Sequence, residues 1–115
     1  SDKLLNRLKE LRKQYSDKRF IEVTFLKQLS PDKFNNYGTE CEDVIEIHDI
    51  FSYCDVMASS FGLIALSSGA SHLSSALKEY SPNLNSICLM EKEWYNRHMN
   101  KGNMFIFNNI DYQVV

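Results

Sequence analysis

The sequence lacks any pair of cysteines at redox or metal-ligand spacing. Cys41, Cys54 and Cys88 are odd in number, and no two stand in a Cys-x-x-Cys arrangement. That excludes a disulfide framework as the organising device and favours a reducing compartment. His48, His72 and His98 share no metal-ligand spacing with one another or with the cysteines, so no metal site is expected. No apolar run approaches the ~20 residues of a membrane-crossing helix, and no signal peptide is visible. The expectation is a cytoplasmic chain with no transmembrane segment. Internal repeats and low-complexity segments are also missing. A net charge of −2 gives no general affinity for nucleic acid, and no nucleic-acid partner is expected.

What is present suits one folded domain. The 115 residues, 43% of them hydrophobic and seven of them Phe, can bury one modest core but not two. Charge is distributed unevenly. Residues 1–20 carry seven Lys or Arg against three acids, and residues 21–115 carry six against twelve. A basic start of this kind is either a solvated helix face or a contact for an acidic partner or membrane surface.

Leu4, Leu5, Leu8, Leu11 and Tyr15 recur at helical spacing, which predicts an amphipathic helix over 2–15. The β-branched and aromatic run Phe20–Leu26 predicts a strand covered on both faces. Ser30-Pro31-Asp32 is a helix-start signal, ended by Asn35-Asn36-Tyr37-Gly38, and Thr39–Asp43 reads as a loop. Val44–Ile47 is the next strand. Asp49 then caps a helix whose apolar residues Ile50, Cys54, Met57 and Phe61 share one face, with Gly62 as its C-cap. A rival reading makes Asp55–Ser59 a strand. Helical spacing favours the helix, since strict alternation is absent. Strands at Leu63–Leu66 and Ile87–Met90 flank a helix over 70–80, which Ser81-Pro82-Asn83 stops. Glu91–Gly102 reads as polar and irregular, and Met104–Phe107 as the last strand, followed by a short tail.

This alternation of helices and strands is α/β. It predicts a three-layer, Rossmann-like parallel sheet with helices on both faces and right-handed crossovers. Ligands in such sheets bind at the carboxyl ends of the strands. Four segments fall there: Lys27–Ser30, Ile47–Asp49, Ser67–Ser71 and Glu91–Glu93. Only Ser67-Ser68-Gly69 combines small residues with a helix start, the composition that cradles a phosphate or other anion. His72 falls in the first turn beside it. The same residues also serve as ordinary helix caps.

From Val44 to Met90 the chain resembles the donor-binding domain of heptosyltransferase-like bacterial glycosyltransferases of the GT-B fold. Those proteins carry a run close to Asp-Ser-Gly-x-x-His-Leu-Ala-Ala-Ala-Leu. Here the corresponding run is Ser67-Ser68-Gly69-Ala70-Ser71-His72-Leu73-Ser74-Ser75-Ala76-Leu77. Ser67 stands where the family has its acidic residue, and Ala70 where it commonly has Pro. The resemblance implies that Ser67, Ser68, Gly69, Ala70, Ser71 and His72 hold the diphosphate of a nucleotide-sugar donor. Glu91 and Lys92, at a strand end, are placed to reach the donor nucleoside. The implied chemistry is sugar transfer to an acceptor glycan or glycolipid in surface polysaccharide or lipopolysaccharide synthesis, at or near the inner membrane. The donor is a substrate, and no cofactor is expected. The family's general base usually lies on a separate acceptor-binding domain, so the chain is expected to be a fragment of a larger enzyme or a relative with altered function. An incomplete sheet predicts self-association, through helix 2–15 or a strand edge.

Two other classes compete. A non-catalytic interaction domain would use the basic helix 2–15 and the aromatics Trp94, Tyr95 and Tyr112 against a protein partner. A Cys–His hydrolase would pair Cys54 or Cys41 with His48 or His72, although none of these cysteines sits in a recognisable nucleophile turn. Asp43, Glu46, Asp49 and Asp55 form an acidic cluster in sequence that reads more naturally as a solvated surface than as a metal site.

Overall fold

The computed structural model describes residues 2–25, 41, 43–66, 69–99 and 106–115. It is α/β, with every described strand pair parallel. The chain divides into two compact units, Ser1–Ser52 and Tyr53–Val115.

The first unit opens with α1 (Asp2–Gln14). Asp2 lies in its first turn and Arg12 and Lys13 in its last, charges that complement the helix dipole. Leu4, Leu5 and Leu8 are half-buried and Leu11 is buried, which follows the apolar stripe in the sequence. The Arg12 guanidinium lies 5.5 Å from the centre of the Phe20 ring, a cation–π contact across the turn into β1 (Ile21–Phe25). That strand pairs in parallel with β2 (Asp43–Ile47), Ile21 opposite Asp43 and Phe25 opposite Ile47. The side-chain alternation sets Val23, Ile45 and buried Ile47 on one face and Glu22, Thr24 and Glu46 on the other. The expected helix start at Ser30 and most of the Thr39–Asp43 loop lie outside the described residues.

Asp49 caps α2 (Ile50–Ala58) as the sequence suggests. Its carboxylate accepts the Ser52 main-chain N–H at 2.8 Å and the Ser52 hydroxyl at 3.0 Å. Residues 55–59 are therefore not a strand. The buried side of the helix is rotated from the expected one. Met57 is buried and Tyr53, Cys54 and Val56 are half-buried, whereas Ile50 and Phe61 are about half exposed. Nor is Gly62 a C-cap. It opens β3 (Gly62–Leu66), where an added Cβ would lie 2.8 Å from the Asn85 carbonyl oxygen. Glycine is required there because two main chains approach closely.

The second unit is built on a three-stranded sheet ordered β3-β4-β5, with β4 (Asn85–Met90) in the centre. Leu63 pairs with Ser86 and Leu66 with Leu89. Residues 86–90 of β4 are all buried, on both faces. Full burial of an Ile, Leu or Met side chain contributes roughly 1.5–3 kcal/mol, so this six-residue strand is the energetic centre of the unit. α3 (Gly69–Leu77) packs on β3 and β4. Its buried residues are Ser71, Ser74 and Ser75, side chains small enough for the helix to settle close to the sheet.

Two segments depart from expectation. The polar stretch after β4 is a helix, α4 (Lys92–Met99), whose Tyr95 packs against the core. The last strand is β5 (Asp111–Val114), not Met104–Phe107. Ile106 and Phe107 are described and lie outside any strand, while Met104 and Phe105 lie outside the described residues. β5 pairs with β4 from Ile87–Asp111 to Met90–Val114, and the Val115 N–H extends the ladder to the Met90 carbonyl at 2.8 Å.

The Ser71 hydroxyl bonds to the Cys88 thiol, and Tyr95 packs against Cys88, Met90 and Ile110. Both α3 and α4 therefore sit on the Cys88 face of the sheet. Two crossovers of the same hand, stepping the same way along a parallel sheet, require that placement. The described strands form two small parallel sheets, not the single larger sheet expected from the sequence.

Candidate functional site

The parallel register of β3 and β4 brings two distant segments to one edge. With Leu66 opposite Leu89, the carboxyl ends of both strands meet, so the start of α3 and residues Glu91 and Lys92 share the same edge of the sheet. This is the edge at which open parallel sheets bind ligands. Ser67 and Ser68 lie outside the described residues. Gly69, Ala70, Ser71 and His72 form the first turn of α3, the positive end of its dipole. Gly69 is exposed, and an added Cβ would have nothing within 4 Å, so the main chain there can be approached closely.

The four side chains do different work. Ser71 is 2% exposed, and its hydroxyl is committed to the Cys88 thiol at the helix–sheet interface. His72 is exposed and meets the Phe107 ring at a centroid distance of 5.2 Å, with the planes at 65°. The half-buried Glu91 gives its carbonyl to the Tyr95 N–H at 2.9 Å and so begins α4. The Lys92 N–H is held by the Val115 carbonyl at 2.9 Å, leaving its exposed side chain as the group offered to solvent.

Hydroxyls and one asparagine seat α3. The Ser74 hydroxyl donates to the Ser71 carbonyl at 2.7 Å and lies 2.6 Å from the Ser86 hydroxyl of β4. One proton serves one bond, so Ser86 is the donor into Ser74. Farther along, the Ser75 hydroxyl donates to Asn109 Oδ1 at 2.6 Å. Asn109 Nδ2 returns a bond to the Ser75 carbonyl at 2.9 Å, and Lys78 Nζ donates to the Asn109 carbonyl at 2.6 Å. The partners Ser75 and Asn109 are 34 residues apart, and such a contact leaves no periodic trace in the sequence. Phe107 and Asn109 are the residues around α3 that sequence reading does not place there. The only local signal is the Asn108-Asn109 pair as a turn former.

The competing chemistries gain little. Burial pushes the Cys88 thiol up, the opposite of what a nucleophile needs. Cys54 is half-buried on α2 and Cys41 is half-buried ahead of β2. Among the described residues no group of three or more His, Cys, Asp or Glu side chains could hold a metal ion. Three of the four acidic residues are drawn into separate contacts. Asp43 pairs with Arg19, Glu46 lies 3.8 Å from His48, and Asp49 caps α2. Hydrogen bonds from Ser52 hold the Asp49 carboxyl below its usual value. On β1, burial raises Glu22, whose Oε2 has no hydrogen-bond partner among the described residues. Of the three aromatics expected to be exposed, only Trp94 is; Tyr95 and Tyr112 pack against the Cys88–Met90–Ile110 cluster.

The fold and site define an α/β chain in which the end of β3 and the start of α3 lie at the carboxyl edge of a parallel sheet. No protein-family model matches the chain, and neither curated proteins nor solved structures return a match. Among the described residues no helix is long and apolar enough to cross a membrane.

Proposed function

We propose that the chain is the nucleotide-sugar-binding portion of a glycosyltransferase of GT-B architecture, similar to the heptosyltransferases of bacterial surface polysaccharide and lipopolysaccharide synthesis. The observation that carries the reading is the meeting of the exposed Gly69 turn and the Glu91–Lys92 segment at one edge of parallel β3 and β4. Under this reading the chain belongs to a three-layer, Rossmann-like domain. Support for the third layer comes from Ile87 and Leu89, which are buried on the face of β4 opposite α3 and α4. The donor diphosphate sits over Ser67, Ser68, Gly69, Ala70, Ser71 and His72, and Glu91 and Lys92 reach its nucleoside.

The chemistry is departure of a nucleoside diphosphate from the sugar as an acceptor hydroxyl attacks. Negative charge grows on the terminal phosphate, and preorganised N–H groups at a helix start stabilise it. The dipole of one helix supplies roughly 0.3–1 kcal/mol, and up to about 2 in a partly buried setting. A protonated His72 adds a charge-assisted hydrogen bond. The acceptor is a glycan or glycolipid, and the base that deprotonates it belongs to a second domain. The reading places the chain in the cytoplasm, peripheral to the inner membrane, and self-associated through α1 or an outer strand of a sheet.

Isothermal titration calorimetry against ADP, UDP, GDP and CMP tests this, with His72→Ala alongside. The expected result is binding of one nucleotide, weakened in the variant while the fold is unchanged. Silence across the whole panel from a folded sample would overturn the reading. That outcome favours a non-catalytic interaction domain, for which the burial of Ser71, Ser74 and Ser75 in packing, together with the exposed Phe51 and Tyr80, is the supporting observation.

A further inference from the structure

A line of contacts on the Cys88 face of the sheet ends at His72. The Phe107 main-chain N–H donates to the Tyr112 hydroxyl at 3.1 Å. Both residues pack against Cys88, Met90 and Ile110. The Phe107 ring then meets the His72 imidazole at 5.2 Å and 65°, an edge-to-face arrangement. Two residues beyond Phe107, Asn109 is bonded to Ser75 of α3 through both ends of its amide. The segment carrying Phe107 is thus fixed on one side by β5 and on the other by the helix that carries His72.

One edge-to-face contact biases the orientation of an imidazole by about two- to tenfold. We propose that Phe107 and Tyr112 are positioning residues for His72: the Tyr112 hydroxyl fixes the Phe107 main chain, and the Phe107 ring sets the direction of the imidazole. The coupling stands on the geometry alone. Its consequence for a ligand rests on the reading of the α3 turn as a diphosphate site, where the direction of the ring decides which nitrogen faces the phosphate.

The test uses carbon–proton correlation spectra of the imidazoles. The chain has three histidines, and His72→Gln identifies the resonances of His72. In the native protein those resonances are displaced by the Phe107 ring current, and Phe107→Leu removes the displacement. Tyr112→Phe keeps an apolar ring in the cluster and deletes only the acceptor, so the His72 resonances move part of the way toward the Phe107→Leu position. Should Phe107→Leu fail to fold, Tyr112→Phe decides the matter. His72 resonances that superimpose on the native ones in Tyr112→Phe overturn the proposal. For whichever of ADP, UDP, GDP and CMP binds, Tyr112→Phe weakens binding by a part of the about two- to tenfold bias that the ring contact supplies. The same change has little effect in a His72→Gln background. Coupled resonances in a protein that binds none of the four nucleotides refute the donor-site reading alone. Nucleotide binding with unmoved resonances refutes the positioning role alone.

Discussion

Replacing Gly62 with alanine places a methyl carbon 2.8 Å from the Asn85 carbonyl oxygen and 3.1 Å from the Asn85 Cβ. Neither is the far end of a flexible side chain, so β3 must move away from β4 at its first pair. The adjoining bonds to the Phe61 carbonyl, from the Asn85 N–H at 3.1 Å and the Asn85 amide at 3.0 Å, are then stretched. Overpacking of this kind costs about 1–3 kcal/mol. Loss of glycine's freedom in the unfolded chain offsets about 0.4–1 kcal/mol. The expected net destabilisation is about 1–2 kcal/mol, or roughly 4–10 °C in Tm for a chain of this size. Gly69→Ala is the internal control. Its Cβ meets nothing within 4 Å, so it should raise stability by about 0.4–1 kcal/mol. The assay is thermal and urea unfolding followed by far-ultraviolet circular dichroism and by the fluorescence of Trp94, the only tryptophan. Coincidence of the two signals checks that a single transition is being read. A Gly62→Ala protein as stable as the native one, or two glycine variants shifting in the same direction, would refute the reasoning about the β3–β4 approach.

Three further outcomes follow from the geometry. Ser74→Ala should cost about 1–3 kcal/mol, because the buried Ser86 hydroxyl loses its acceptor. Adding Ser86→Ala should recover part of that loss, and urea midpoints of the single and double variants measure the coupling. Asp49 has its carboxyl held below the ordinary value of 3.8 by Ser52, so its stabilisation is present above that pH and lost as pH falls below it. Asp49→Asn, which can still cap, should flatten the acid limb of a stability–pH curve below about pH 4 without melting α2 at neutral pH. In native protein at pH 8, Cys88 should react with a thiol reagent far more slowly than Cys41 and Cys54, since it is fully buried and its thiol is raised by burial. Labelling followed by peptide mass mapping gives the order of reaction.

The legible elements are those whose own side chains do the packing. The stripe of Leu4, Leu8 and Leu11 marks α1, and Asp49 marks the start of α2 through a bond closed within three residues. Burial on both faces of β4 matches its unbroken apolar run. β5 does not stand out in the same way, because its stability comes from partners. Asp111–Val114 carries Tyr112 into the cluster and is held in place by the main-chain ladder to β4, whereas Met104–Phe107 is the more apolar run in the sequence. α4 is hidden for a similar reason: Tyr95 packs on the core from a mostly polar stretch, and the first N–H of the helix is satisfied by Val115, a residue far along the chain. At the candidate site the helix start was readable from Gly69 and its neighbours. The inward turn of Ser71 and the ring beside His72 were not, since each depends on a partner outside α3.

The seat of α3 has a thermodynamic character of its own. A helix held on a sheet by leucines and valines removes much apolar surface from water, and the grip then carries a large heat capacity. The face of α3 turned inward is mostly hydroxyl: Ser71 against Cys88, Ser74 against Ser86 and Ser75 against Asn109. Apolar exposure raises the heat capacity of unfolding and polar exposure lowers it. Detaching α3 should therefore show a small heat-capacity change and a substantial enthalpy. Its attachment loosens on warming and tightens on cooling, opposite to the cold-weakened hydrophobic packing on the remainder of β4.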